Sequence, residues 1–243
     1  MASTGQGIKS WTMLENNPDV MNKMAYKLGL SPQLAFHDVW SLDDPQLLAL
    51  IPRPALALLV IMPHTPAWAQ DRKADADKRQ EYEGFGPGEP VIWFKQTIGN
   101  ACGSIGLLHC AINGPAANFV LPGSALDRIR QEALPLKREE RAAMLYNSVD
   151  FEEAHQACAS DGDTPPLNAD HKGQHFVSFV IAQGRLWELE GDVKGPLDRG
   201  AVGDGEDVLS PRLLKLGFQR VIDLEKDSGN DLRFSCLALA RKE

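Results

Sequence analysis

Apolar positions along this chain recur with two different spacings, and each spacing marks a different kind of element. Val20, Met24 and Leu28 follow one another at helical spacing behind Asn17-Pro18-Asp19, a helix start with asparagine as cap and proline in the first turn. Gly29 closes that helix, and Met21 and Met24 read as core filler. Leu34 to Leu42 reads as extended, anchored by Phe36 and Val39, and Asp44-Pro45 opens a short helical turn. Pro54 to Met62 is a nearly continuous apolar run, which predicts a strand buried on both faces. Val91 to Phe94, bounded by Pro90 and by Lys95-Gln96, predicts a second buried strand. After a turn at Gly99-Asn100, the apolar run from Ala101 to Ile112 is long enough to be a helix if its two internal glycines are tolerated, and Asn113-Gly114 stops it.

Further along, Ser124 caps the segment SALDRIRQEAL, and Leu136 to Tyr146 is amphipathic. Asp150 with Glu153 forms a capping-box-like start before Ala154 to Ala159. His175 to Ile181 and Arg185 to Gly191, joined by Gln183-Gly184, read as a β-hairpin with Phe179 and Trp187 in its core. A last helix runs from Ser210-Pro211 through Asp223, and Leu232 to Ala240 is a final strand. Two stretches fall outside this pattern. Gln70 to Gly88 is dense in both charge signs and reads as a solvated excursion between core strands. Ser160 to Gln174 is a polar loop rich in Gly, Pro and Asp directly before His175, of a length that is usually functional or disordered.

Composition narrows the class. The 243 residues fit one sizeable domain, and 43% hydrophobic with 24% charged residues is ordinary for a soluble globular protein. The expected organisation is an arm of small polar residues over 1–10 and a single domain over 11–243, with no internal repeat. A net charge of −8 argues against nucleic acid and mildly favours a basic partner. No apolar run approaches the ~18 residues of a membrane span, so no membrane partner is expected. The four cysteines (102, 110, 158 and 236) form no C-x-x-C pair, which suggests neither a zinc site nor a disulfide framework and points to a reducing compartment. No cofactor and no metal is expected.

The candidate chemistry lies in QTIGNACGSIGLLHCAING, Gln96 to Gly114. Cys102 falls at a predicted helix N-terminus, where unpaired N–H groups and the helix dipole favour a thiolate, and small residues around it let another backbone approach. A thiolate attacking a carbonyl needs a base, a group to orient that base, and donors for the oxyanion. Gln96 and the Cys102 amide are candidate donors. Among six histidines, His175 stands out because it opens the hairpin whose far end carries Glu190 and Asp192. A core-helix reading accounts for the apolar residues equally well, but not for a thiol in the first turn with a glutamine six positions before it. Cys110 reads as buried and inert, His109 as packed and hydrogen-bonded, and His37, His64, His155 and His171 as surface or loop residues.

QTIGNACGSIGLLH, HFVSFV and LWELEG, together with WTMLENNPDVMNKMAYKLGL and FHDVWSL between Trp11 and Leu42 and the closing Arg233 to Leu239, resemble the ubiquitin C-terminal hydrolases. These are papain-like cysteine peptidases that release ubiquitin from its C-terminal adducts. The resemblance covers nearly the whole chain. It implies Cys102 as nucleophile, His175 as base and Gln96 as oxyanion glutamine. There is one departure. The family places an aspartate fifteen residues after the histidine, and Glu190 stands there, with Asp192 two residues on and on the same face if the strand alternation continues. Either carboxylate fits the role. The implied fold is α/β (α+β): a central, mainly antiparallel sheet flanked by helices, a papain-like catalytic arrangement and a knotted backbone. Ser160 to Gln174 resembles the family's crossover loop, which restricts what can pass the site. No C-terminal extension of the kind carried by larger members is expected. The expected activity is thiol-dependent hydrolysis of small or unfolded adducts from the C-terminal glycine of ubiquitin through a thioester, by a cytoplasmic monomer, with the nucleus as an alternative location. The same chemistry on a ubiquitin-like modifier, or a catalytically weak ubiquitin-binding protein, are the alternatives.

Overall fold

The computed structural model describes residues 9–162, 174–228 and 233–242. Its elements in chain order are α1 (Pro18–Leu28), β1 (Leu34–Asp38), α2 (Pro45–Leu48), β2 (Ala57–Pro63), α3 (Pro66–Asp77) and α4 (Cys102–Ile112). Then follow α5 (Ala125–Ala133), α6 (Arg138–Tyr146), α7 (Val149–Gln156), the hairpin β3 (Gln174–Ala182) and β4 (Arg185–Leu189), β5 (Leu197–Ala201), α8 (Pro211–Leu216), α9 (Phe218–Ser228) and β6 (Ser235–Arg241). The strands form one sheet in the order β1-β6-β2-β3-β4-β5, with each of these neighbouring pairs antiparallel. Strand β2 shows why the sheet needs helices on both faces. Ala57, Leu59 and Ile61 enter one hydrophobic cluster with residues of α1, α4, α5 and α7, whereas Leu58, Val60 and Met62 enter a second with residues of α3, α8 and α9. That is the period-two alternation of a strand buried on both sides.

The expected α1 start and stop are in place. The Asn17 side chain accepts from the Asp19 amide, and Gly29 closes the helix in the left-handed region (φ 104°). Ser124 likewise caps α5. The hairpin turns through Gln183 (φ 50°) and Gly184 (φ 71°), as the right-handed strand twist requires of a two-residue turn. Helix α7 begins two residues before the expected start, because Ser148 accepts from the Phe151 amide. The last helical stretch is divided at Gly217, where a Cβ would come within 3.0 Å of the Phe179 ring.

Two expectations are overturned. Val91 to Phe94 is fully buried but is not a strand. Side chains satisfy its backbone where a ladder was expected: Asn113 Oδ1 accepts from Ile92 N at 2.7 Å while Asn113 Nδ2 donates to Ile92 O at 3.0 Å. Phe94 N donates to His109 Nε2 at 3.0 Å, and Arg141 donates to Trp93 O at 3.1 Å. The second correction concerns Gln70 to Gly88. Its first residues belong to α3, whose N-cap is Thr65 and whose inner side buries Trp68 and Arg72. The charges there are partly drawn into the protein by partners on the sheet.

Arg141 is fully buried and pairs with both oxygens of Glu89 at 2.9 Å, and it also donates to the carbonyls of Ala133, Trp93 and Leu136. Replacing it leaves a buried carboxylate and three carbonyls without donors. Arg141→Met is expected to cost about 3–5 kcal/mol, read as a lower urea midpoint at unchanged slope. A loss under about 1 kcal/mol would place this cluster in contact with water.

Candidate active site

Helix α4 begins at Cys102 with no side-chain cap, so the N–H groups of its first turn are open to other partners, and the Gly103 amide serves the Cys102 sulfur. The turn before it is held from the N-terminal side. Ser10 and Gly99 form a parallel bridge, Trp11 N donates to Gly99 O at 2.9 Å, Gly99 N donates to Lys9 O at 2.8 Å, and Asn100 Nδ2 donates to Trp11 O at 3.0 Å. Lys9 is fixed in turn by Glu152 Oε2 at 2.7 Å. Two glycines then let α4 lie against the sheet. A Cβ on Gly103 would stand 3.2 Å from the Phe176 ring, and one on Gly106 would stand 2.6 Å from Leu59 Cδ1. This close approach carries Cys102 to the start of β3, where His175 lies opposite Met62.

The Cys102 thiol is buried and within interaction reach of the His175 imidazole. Burial pushes the thiol up, but the contact and charge of His175 and the amides of Phe176 and Gly103 outweigh it and leave the thiol below its ordinary range. Burial likewise works against a charged imidazole. The charge of Glu190 and the contact with Cys102 overcome it and hold His175 well above the usual histidine range. His175 Nε2 stands 3.2 Å from Glu190 Oε1, off the line of a good hydrogen bond, which leaves Nδ1 for the thiol.

Glu190 lies just beyond the end of β4 and is buried. Its backbone is fixed to the segment that carries Gln96. The Trp93 indole donates to Glu190 O at 2.8 Å, and Gln96 N donates to Gly191 O at 2.8 Å. Gly191 is needed at this crossing, because a Cβ there would lie 2.8 Å from the Gln96 Cβ. Gln96 is half-buried, and its Oε1 is enclosed without a hydrogen-bond partner. Asp192 is exposed on the following turn. Strand alternation ends at Leu189, so Asp192 does not repeat the orientation of Glu190.

His109 is packed as expected, accepting from Phe94 N, and burial with the Arg141 charge lowers it to about 3. Cys110 is buried, with its thiol on Leu58 O and pushed far up by burial. His155 departs from the surface reading. It is fully buried between Ser104 Oγ (2.7 Å) and Thr12 O (2.8 Å), stacks near Trp11, and is lowered to about 4 by burial. His171 and most of the loop ahead of His175 lie outside the described residues. Sequence reasoning passed over Trp68, whose ring centroid is 5.8 Å from that of His175, and Arg72 beneath it. The Thr65-Pro66 helix start was the available signal. Among the described residues, no group of three or more His, Cys, Asp or Glu side chains is placed to hold a metal ion.

Comparison with known proteins identifies the family of the chain. The family model "Ubiquitin carboxyl-terminal hydrolase, family 1" matches residues 11–222. Ubiquitin carboxyl-terminal hydrolase 3 of Arabidopsis thaliana is 36% identical over 99% of this chain and 98% of its own length. The horse (Equus caballus) ubiquitin carboxyl-terminal hydrolase isozyme L1 is 33% identical over 94% of this chain and 97% of its own. The Trichinella spiralis UCH37 catalytic domain, solved bound to ubiquitin vinyl methyl ester, shares the fold with a TM-score of 0.72 at 20% identity, covering 99% of each chain. A buried thiol at a helix N-terminus, facing a histidine on the central sheet, therefore sits in a chain matched over nearly its full length, and that chain belongs to family 1 of the ubiquitin carboxyl-terminal hydrolases.

Proposed function

We propose that this chain hydrolyses adducts at the C-terminal glycine of ubiquitin, with Cys102 as nucleophile, His175 as acid and base, Glu190 as the carboxylate that orients His175, and Gln96 as an oxyanion donor. The observation that carries the reading is the contact of the Cys102 thiol with an imidazole whose opposite nitrogen faces Glu190. In the first half-reaction the Cys102 thiolate adds to the glycine carbonyl carbon. The charge passes to the carbonyl oxygen, where the Cys102 N–H and the Gln96 amide donate to it. The tetrahedral intermediate collapses as His175 gives its proton to the leaving amine or thiol, and an acyl thioester remains. Water then adds to the thioester with His175 taking its proton. The C–S bond breaks, releasing the ubiquitin carboxylate and regenerating the thiolate–imidazolium pair. On the family resemblance, the adducts are small or unfolded.

The test is hydrolysis of a C-terminal fluorogenic ubiquitin substrate by the wild type and by Cys102→Ala, beside matched ubiquitin-like substrates. Turnover of the ubiquitin substrate that disappears in Cys102→Ala is expected. Retained turnover in that variant, or a preference for a ubiquitin-like substrate, would overturn the assignment. Gln96→Ala is expected to lower kcat by roughly 10²- to 10³-fold with substrate affinity nearly unchanged, because the donor acts where charge develops. If KM rises and kcat holds, Gln96 is a binding contact and not an oxyanion donor.

A further inference from the structure

We propose that Arg72 is a positioning residue for this reaction: by bridging Glu188 and Glu190 it holds the Glu190 carboxylate toward His175. The inference rests on the catalytic roles assigned above. It begins from the departure at position 190. A glutamate carries one more rotatable bond than the family's aspartate, and a loosely held carboxylate orients an imidazole poorly. The structure supplies a restraint. The two Glu190 oxygens are divided between two partners by charge contacts that lie outside hydrogen-bond geometry, Oε1 at 3.2 Å from His175 Nε2 and Oε2 at 3.3 Å from Arg72 Nε. The same edge of the guanidinium pairs, through Nη2, with Glu188 Oε1. Trp68 lies against both ends of this chain of contacts, its ring centroid 5.3 Å from Arg72 Cζ and 5.8 Å from the His175 ring.

Glu188 in β4 and Glu190 just beyond its end both meet the Arg72 guanidinium, and two buried carboxylates that close repel each other. Arg72 is itself buried, and it is the cation paired with both. The charged groups around them are mostly committed elsewhere. From α3, Asp71 pairs with Arg220 of α9 at 3.0 Å, and Asp75 lies 3.5 Å from Arg199 of β5. Arg199 also holds the second oxygen of Glu188 at 2.6 Å. Arg79, just past α3, donates to backbone carbonyls. Facing the imidazole from α4 is Cys102. Without Arg72, Glu188 keeps Arg199, whereas Glu190 loses its only cation besides the imidazolium among these groups. The carboxylate is then free to leave His175, and both the imidazolium and the thiolate it supports lose stabilisation.

The experiment uses Arg72→Gln, Arg72→Lys, Glu190→Gln and the double variant, each checked for a native near-UV spectrum. The pH dependence of Cys102 alkylation by iodoacetamide reports the thiolate–imidazolium pair without any substrate, and its midpoint belongs to the pair. In Arg72→Gln the acid midpoint of alkylation is expected to move up by about one pH unit. With the ubiquitin substrate, kcat is expected to fall roughly 10- to 100-fold with KM within about twofold. Arg72→Lys keeps the charge but not the planar edge that meets both carboxylates, so it should fall between Arg72→Gln and wild type, and it carries the test if Arg72→Gln does not fold. In the Glu190→Gln background, Arg72→Gln should cost less than about threefold further, because the residue it acts through is gone. An unchanged alkylation midpoint, or an equal kcat loss in both backgrounds, would show that Arg72 serves only to neutralise Glu188, and the proposal would fall. If Glu190→Gln by itself leaves turnover and midpoint untouched, the assignment of Glu190 fails first, an outcome distinct from a damaging Glu190→Gln beside harmless Arg72 variants.

Discussion

Iodoacetamide at neutral pH is expected to modify Cys102 before the other three cysteines, and turnover is expected to disappear in step with that single label. The reason lies in four different surroundings. Burial pushes the Cys110 and Cys236 thiols far above the ordinary range, and it raises Cys158 as well, outweighing the charges of Lys23 and Lys27. Cys102 is also buried, yet it alone of the four lies below that range, because His175 and two backbone amides stabilise its thiolate. The sign of the pH dependence follows. Alkylation of Cys102 should rise as pH climbs through its lowered pKa and then level off. Labelling of the other thiols should begin only at pH values above the ordinary thiol range. Turnover should rise with the same acid limb and fall again as pH passes through the raised pKa of His175, where the proton for the leaving group is lost. The two profiles therefore agree on the acid side and part on the alkaline side. Cys102→Ala should reduce turnover by roughly 10⁴-fold or more, as removal of a nucleophile does in comparable sites. Peptide mass spectrometry that finds Cys158 labelled first, with activity lost, would transfer the nucleophile's role to a different residue.

Much of the fold was legible because its signals are local. Asn17-Pro18 and Ser124 announce helix starts, and Gln183-Gly184 announces a turn, through side-chain and backbone preferences that need no distant partner. Cys102 at a helix start and His175 at a strand start were legible for the same reason. What failed depended on distant partners. Val91 to Phe94 has the composition of a strand, but its backbone partners are the side chains of Asn113, His109 and Arg141, which arrive from α4 and α6 and their ends. His155 looks like any polar residue of an amphipathic helix until Ser104 and Thr12 close around it. Arg72 sits in a run of mixed charge that reads as solvated, and only the sheet shows that Glu188 and Glu190 draw it inward. The proposed catalytic groups were visible one at a time. Their second layer was not, because charge pairing over long sequence separations leaves no periodic trace.

Glu190→Gln is expected to cut turnover by roughly 10³- to 10⁴-fold, whereas Asp192→Asn should leave it within about twofold. The two residues lie two positions apart and carry the same group, so the difference between them tests geometry. Glu190 is buried with one oxygen 3.2 Å from His175 Nε2, while Asp192 is exposed on the turn beyond the strand. The amide of Glu190→Gln has nearly the size of the carboxylate, so the buried position and the fixed backbone at Gly191 should survive. Two things change. The imidazolium loses the negative charge that works against its burial, so the thiolate–imidazolium pair is weakened. A neutral amide can also present N–H where the carboxylate presents oxygen, which favours the wrong imidazole tautomer. Both effects act on kcat, because substrate binding does not require the tautomer. Glu190→Asp separates reach from charge. It keeps the carboxylate but shortens the side chain by one methylene, on a backbone fixed by the Trp93 indole and the Gln96 amide. Partial activity is expected there, well above that of Glu190→Gln. The comparison is made at saturating ubiquitin substrate, so that kcat alone is read. Should Asp192→Asn prove the more damaging of the two amide variants, the loop rearranges when substrate binds and the carboxylate that orients His175 is Asp192.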